Sequence, residues 1–258
     1  MFDAVVITTG GSPQSKGLEH LQQLGHKIEE PVPSLFTFNI NDKNLHELMG
    51  TVVENASASI AGTKFKAEGA LLITHWGMSG PAILKLSSHA ARHLHDHAYS
   101  CPLLINWVNE TNNEKVAMEL KDISENNPQK RLGNIRPFGL PSRLWDYLIT
   151  KSGQNTDKKW SELGKKGINK LTNTLCNDEY QINGKGVFRE EFVTCGGISL
   201  ESIHRQSLES KVCPGIYFAG EVLDIDGVTG GFNFQAAWTT GYTVACAIRE
   251  KLEKPATM

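Results

Sequence analysis

Hydrophobic positions in this chain gather into short β-branched runs near its two ends and into mixed periods between them. Ala4 to Ile7 is an apolar run that ends in Thr8-Thr9-Gly10-Gly11, which predicts a buried strand entering a glycine turn, with no earlier element to pair it. Leu18 to Leu24 predicts a short helix closed by Gly25, and Pro31 and Pro33 punctuate its exit. Toward the other end, Phe188 to Thr194 and Ile216 to Ala219 predict two more strands. The second of these stops at Gly220-Glu221, a glycine-punctuated loop follows, and Gly230-Gly231 opens a helix expected from Phe234 to Leu252. A strand, a turn at its carboxyl end and a helix with uncovered N-terminal amides is where open α/β sheets hold ligands. This stretch therefore reads as one wall of a cofactor site, with Glu221 placed to accept hydrogen bonds from sugar hydroxyls.

The middle of the chain has a different pattern. Leu35, Phe36 and Phe38, then Thr51–Ile60, Lys64–Phe65, Ala70–Thr74 and Cys101–Val108, predict a β-rich stretch. Gly77 to Pro81 is a turn, and Pro81 fits the first position of a helix over Ala82–Arg92. From Asn109 to Asp178 the chain is polar and lysine-rich. Val116, Met118, Leu120 and Ile123 suggest one helix, Leu144 to Ile149 a second, and Ile168, Leu171 and Leu175 a third. The expected division is an α/β sheet domain from residues 1–33 and 188–258, a β-rich insert at 34–108 and a helical insert at 109–187.

Composition narrows the function classes. A formal net charge of −2 and a sequence pI near 6.5 give no global field toward nucleic acid or membrane. The lysines of the helical stretch have acids mixed among them and no aromatic stripe, so they read as a solvated face and no nucleic-acid partner is expected. The five cysteines are scattered without a C-x-x-C pair, which argues against a disulfide framework or structural zinc and favours a reducing cytoplasm. No run reaches the ~18 apolar residues of a membrane span, so no membrane partner is expected.

His75, in Thr74-His75-Trp76-Gly77, is the candidate catalytic side chain because an imidazole is a side chain suited to proton transfer near neutrality; the competing reading is that His75 and Trp76 pack a junction. Cys195, before Gly196-Gly197, has no adjacent cysteine and reads as a small buried residue. His89, His93, His95 and His97 form a histidine-rich tract. Ala90-Ala91 stand where the H-E-x-x-H pattern carries its glutamate, and no metal is expected.

Four stretches carry a resemblance. Ala4–Gly11 looks like the strand and glycine turn of FAD-dependent enzymes with two dinucleotide-binding folds. Together with Gly69–Pro81, Val193–Ile198 and Ala219–Asp224, in that order, it resembles the YhiN/BaiN-like bacterial flavoprotein family, known as aminoacetone-oxidase-type or FAD-dependent reductase-type proteins. The resemblance implies FAD as cofactor, held by Thr9, Gly10, Gly11, Gly220, Glu221, Asp224, Gly230, Gly231, Phe232, Asn233 and Phe234. It implies hydride transfer between flavin and a small substrate or NAD(P)H. Members also begin with a G-x-G-x-x-G turn for the FAD pyrophosphate, which this sequence does not contain. The expected fold is thus an incomplete FAD/NAD(P)-binding sheet domain with two inserts, and FAD binding by this chain alone is expected to be weak or absent. A catalytically silent fragment or interaction module is the alternative. Truncation would leave the Ala4–Ile7 strand with an exposed edge open to self-association.

Overall fold

The computed structural model describes residues 2–12, 15–186 and 193–253. In chain order these form β1 (Val5–Ile7), α1 (Glu19–Gln23), β2 (Ile28–Ser34), β3 (Phe38–Asn39), α2 (Lys43–His46), β4 (Val52–Ile60), β5 (Lys66–Ile73), β6 (Gly77–Ser79), α3 (Pro81–His89) and α4 (Ala91–Asp96). They continue with β7 (Pro102–Asn106), α5 (Asn113–Asn126), α6 (Ser142–Lys151), α7 (Gly164–Cys176), β8 (Asp178–Gln181), β9 (Val193–Ile198), β10 (Ile216–Phe218) and α8 (Gly230–Glu253). The strand expected over Phe188–Thr194 lies outside the described residues except for Val193 and Thr194. The chain divides into two compact units. One comprises Met1–Leu35, Ala90–His95 and Phe188–Met258; the other comprises Phe36–His89 and Asp96–Val187.

The first unit is built on pairings across almost the whole sequence. β1 and β10 run parallel with Val5 opposite Ile216 and Ile7 opposite Phe218. β2 pairs antiparallel with β9, and a register shift lies between Glu29 and Val32. Pro31 and Pro33, read from the sequence as punctuation after the Leu18–Leu24 helix, lie inside β2. They sit in a strand with one partner and a bulge, where a missing N–H costs no ladder bond. The core comprises Leu18, Leu21, Ile198, Tyr217, Phe218, Val222, Leu223 and Val244, with others around them. Gly196 and Gly197 are needed for this packing: a Cβ on Gly196 would lie 2.4 Å from the Glu30 carbonyl oxygen, and one on Gly197 would lie 2.5 Å from that of Val222. Glu209 ties the entry of β10 to the end of α8, accepting from the Gly215 amide and from Lys251 Nζ, both at 2.7 Å.

The second unit is a curled antiparallel sheet in the order β3-β6-β5-β4-β7-β8. The run after β8 returns to β3. Asn183 N donates to Asn39 O at 2.8 Å, Asn39 N to Gly184 O at 3.0 Å and Gly186 N to Thr37 O at 3.0 Å. The sheet thereby closes on itself, which removes its open edges. The segments read separately at Lys64–Phe65 and Ala70–Thr74 belong to one hairpin of β4 and β5, with Phe65 in its turn. Helices α5, α6 and α7 enter between β7 and β8, so the β-rich and helical stretches share one unit. α6 is tied to β8 through Asp178, which is 3% exposed. Its carboxylate accepts from Trp107 Nε1 at 2.9 Å and Tyr180 OH at 2.5 Å, and meets Lys151 Nζ at 2.6 Å. Burial pushes this carboxyl up from its ordinary value, and Lys151 acts against that push.

Two stability effects follow. Asp178→Ala leaves two buried donors, Trp107 and Tyr180, facing a void and Lys151 without its carboxylate, and is expected to lower the unfolding free energy by about 3 kcal/mol, with Asp178→Asn losing less. Urea unfolding followed by tryptophan fluorescence reads this directly, because four of the five tryptophans lie in this unit; a loss below ~0.5 kcal/mol would show the cluster to be incidental. At Glu209, burial alone would raise the carboxyl pKa, but the Lys251 and Gly215 bonds outweigh it and hold the group below its usual range. A depressed carboxylate stabilises the fold above its unfolded pKa and loses that contribution as pH falls through the folded pKa. Glu209→Gln should therefore cost roughly 1 kcal/mol at neutral pH, and the difference should fade below about pH 4.

Candidate functional site

The parallel pairing of β1 with β10 brings two chain turns to the same end of the first unit. Thr8 to Gly11 leaves β1, and Gly220-Glu221 leaves β10, both at the carboxyl ends of their strands. Ala219 N donates to Ile7 O at 3.1 Å, so the two turns start side by side. Gly220, at φ +80°, opens a short 3-10 turn over Gly220–Val222 that presents Glu221. α8 is pinned to this turn: Gly220 N donates to Thr240 Oγ1 at 2.9 Å, and Thr240 Oγ1 donates to Ala236 O at 2.7 Å. A pocket of about 500 Å³ opens here, lined among others by Thr8, Gly10, Glu221, Ile225, Gly230 and Phe234.

Glu221 joins the elements of the site. Its Oε1 accepts from the Thr194 amide at 2.7 Å, and among the described residues Oε2 accepts no bond. Gly11 packs beneath this pair: a Cβ there would lie 2.5 Å from Thr194 Oγ1 and 2.8 Å from Glu221 Oε1. Glycine is thus required by close approach at Gly11, and by a left-handed φ of +75° at Gly10. The α8 amides at Gly230 and Gly231 stand at the start of a 24-residue helix, where partial positive charge collects. The Asn233 side chain is occupied in shaping the approach. Its Oδ1 accepts from Gly227 N at 2.8 Å, and its Nδ2 donates to Thr229 O at 2.8 Å.

The predicted residues divide accordingly. Gly10, Gly220, Glu221, Gly230, Asn233 and Phe234 line the pocket. Gly11 supports it from below, and Gly231 and Phe232 continue the first turn of α8, with the Phe232 side chain exposed. Thr9 lies in the turn between Thr8 and Gly10 without lining the pocket. Asp224 is turned toward Arg92, 3.9 Å away; burial raises its carboxyl pKa, with Arg92 opposing. His75 belongs to the second unit, on the turn between β5 and β6, exposed and edge-on to Trp76 at 4.1 Å between ring centroids. Burial, reinforced by Asp226, pushes the Cys195 thiol up to about 11, which keeps it protonated near neutrality. α3 ends at His89 and α4 starts at Ala91, so His89 and His93 stand on separate helices. Thr240 and Thr194 are site-building residues that the sequence did not disclose. A threonine in mid-helix looks like any other helical threonine, and an amide donor leaves no mark in a side-chain pattern.

A mixed α/β chain with a curled, closed sheet, an inserted helical group and a glycine-lined pocket at parallel strand ends is the class that fold and site define. The model of the HI0933-like protein barrel and H2TH domain matches residues 32–193, and the chain belongs to this family. Two similar proteins carry the name ribosomal RNA dihydrouridine synthase. That of Haemophilus influenzae is 30% identical over 252 residues, and that of Escherichia coli K12 is 31% identical over 257; each match covers 95% of this chain and 60% of the relative. The 3-dehydro-bile acid delta(4,6)-reductase of Clostridium scindens is 24% identical over 257 residues, covering 96% of this chain and 63% of the relative. The chain therefore spans less than two thirds of the length of these relatives. Among the described residues no helix is long and apolar enough to cross a membrane.

The packing beneath Glu221 yields a graded expectation. Gly11→Ala forces Thr194 and Glu221 apart and should cost about 1–3 kcal/mol, the range of core overpacking. Gly10→Ala meets nothing within 4 Å and bears the backbone strain alone, about 1 kcal/mol. Urea midpoints that place Gly10→Ala as the more damaging change would contradict the arrangement described.

Proposed function

We propose that this chain contributes one wall of the flavin site of a reductase that saturates a carbon–carbon double bond conjugated to a carbonyl group. The observation that carries the reading is the convergence of the β1 turn, Glu221 and the α8 N-terminus on one pocket. Its donors and acceptors fit FAD. Glu221 Oε2 would accept from a ribityl hydroxyl, the Gly10 turn lets the backbone approach closely, and the first amides of α8 would meet an electron-rich oxygen. Bound FAD, once reduced, would supply the hydride. The chain's own part is to orient and to exclude water: Ile225, Phe234, Ala236 and Ala237 form the apolar part of the lining, and the Thr194 amide fixes the Glu221 carboxylate. His75 is the proposed proton donor, with NAD(P)H as the proposed source of reducing equivalents.

The relatives' names support the bond type. Dihydrouridine differs from uridine by saturation of the 5,6 double bond, which is conjugated to a ring carbonyl. A 3-dehydro bile acid with 4,6 unsaturation likewise carries double bonds conjugated to its ketone. In both, hydride addition to the carbon remote from the carbonyl and protonation of the nearer carbon complete the two-electron reduction. The reductase reading is therefore preferred to the aminoacetone-oxidase label.

A second reading, a fragment that does not hold FAD by itself, is favoured by one observation. Val5, Val6, Phe234, Trp238 and Tyr242 are exposed, so much of the apolar surface near the pocket is uncovered. Titration with FAD, followed by flavin fluorescence and visible absorbance, separates the two. Saturable binding that Glu221→Ala weakens about 10-fold supports the flavin site, one charge-assisted bond being worth about that much. The absence of any flavin response would leave the silent fragment.

A further inference from the structure

Charges that look mixed along residues 109–178 separate at Pro128. α5 carries four acids and two lysines, whereas residues 128–176 hold ten lysines and arginines against three acids. The fold then folds part of this basic stretch back on itself. Leu132 N donates to Lys158 O at 2.8 Å and Trp160 N to Lys130 O at 3.0 Å, which sets Arg131 opposite Lys159 in an antiparallel bridge. Leu132 and Trp160 are fully buried. Because neighbouring residues of a ribbon face opposite ways, Arg131 and Lys159 share its outer face. Trp145 holds the underside, stacking on Trp160 at 6.4 Å and donating to Leu132 O at 2.9 Å. Arg131 and Lys159 are exposed on that face and Lys130 is exposed beside them, whereas Lys158 is half-buried and turns its Nζ to Gln154 Oε1 at 3.0 Å, so three exposed cations edge one short ribbon.

Local electrostatics does not favour this placement. Like charges directly opposite one another on a ribbon repel. Asp157 meets Arg131 at 2.8 Å and Glu162 Oε2 accepts from the Lys159 amide at 3.4 Å, while Lys159 Nζ donates to the neutral Gln129 side chain. Lys165 and Lys166 stand exposed in the first turn of α7, at the positive end of the helix dipole, with no acid in that turn and no side-chain cap. A regularly spaced polyanion would relieve both unfavourable arrangements.

We infer that the exposed Lys130, Arg131 and Lys159 of this ribbon, with Lys165 and Lys166, form a docking surface for the phosphate backbone of RNA. The choice of RNA among polyanions rests on the reductase reading and on the ribosomal RNA named for two relatives. It departs from the sequence expectation of no nucleic-acid partner. That expectation averaged over a segment in which α5 is net acidic and the stretch after Pro128 net basic.

The test uses the full chain without added flavin, so its outcome is independent of the cofactor reading. Binding of a structured RNA oligonucleotide is measured by fluorescence anisotropy across a salt series. The combined Lys130→Gln, Arg131→Gln and Lys159→Gln variant should bind at least ~10-fold more weakly, and its log–log salt slope should flatten by about 2.5. A second variant guards against a folding defect. Lys165→Glu with Lys166→Glu places acids where the α7 dipole favours them, so thermal stability should hold or rise while RNA affinity falls by at least ~10-fold. Lys64→Gln with Lys66→Gln, on the β4–β5 hairpin, should leave affinity unchanged. RNA affinity unaltered in both ribbon and α7 variants overturns the inference. So does equal, ribbon-dependent binding of phosphatidylglycerol vesicles that RNA fails to displace. RNA binding without any flavin response would leave this surface standing and remove the reductase reading alone.

Discussion

Three residues of parallel pairing, Val5–Ile7 against Ile216–Phe218, hold together segments more than 200 positions apart, and the glycine-lined pocket depends on them. Parallel strands end on the same side, so this register decides that the Gly10 turn and Glu221 meet. One residue of slip would exchange the faces on which Tyr217 and Phe218, both buried, are packed and carry the Glu221 turn away from Thr194. Closing so long a loop is entropically costly, and three backbone pairs do not offset it alone. The offset comes from packing around Phe218, whose ring meets buried His26 at 5.1 Å, and from Thr240 and Glu209, which fasten α8 to both ends of β10.

Glycines serve two distinct purposes around that pairing. At Gly196 and Gly197 they allow three backbones to lie closer than a side chain permits, which lets β9 sit between β2 and the Val222–Leu223 segment. At Gly10 and Gly220 they allow left-handed turns at the strand ends. The Cys195-Gly196-Gly197 sequence is thus explained by packing, and the raised Cys195 pKa agrees with a thiol kept neutral by burial. The polar work in this region falls to Glu221, whose carboxylate both shapes the pocket and lines it.

The sequence made the strand ends legible because each combined a β-branched run with an immediate glycine: Ala4–Ile7 before Gly10, and Ile216–Ala219 before Gly220. The three helices of the insert were legible from apolar spacing, since Leu120, Leu144, Leu148, Leu171 and Leu175 are all fully buried. What stayed hidden was non-local. β2 was masked by prolines that only a bulged strand with a single partner tolerates. β8 is four residues, Asp178 to Gln181, with a buried aspartate at its head, and nothing local marks that as a strand until Trp107, Lys151 and Tyr180 supply its partners. The closure of the sheet through Asn183 to Gly186 is likewise a backbone event between polar residues.

Charge is where a one-dimensional average misleads most. Across residues 109–178, lysines and acids alternate closely enough to suggest mutual neutralisation. Folding decides which of them are neighbours, and here it places the α5 acids on one element and the Lys130–Lys159 cations on another. An exposed ion pair such as Arg131 with Asp157 contributes at most about 1 kcal/mol and is weakened by salt. One such pair does not neutralise three exposed cations on a ribbon. The backbone beneath the remaining positive charge is held by buried tryptophans, so little backbone ordering is left to oppose binding of a matching polyanion. Pre-organised charge of this kind sets association rate and salt dependence more than it sets fold stability. The ribbon can therefore carry excess charge without weakening the core on which it stands.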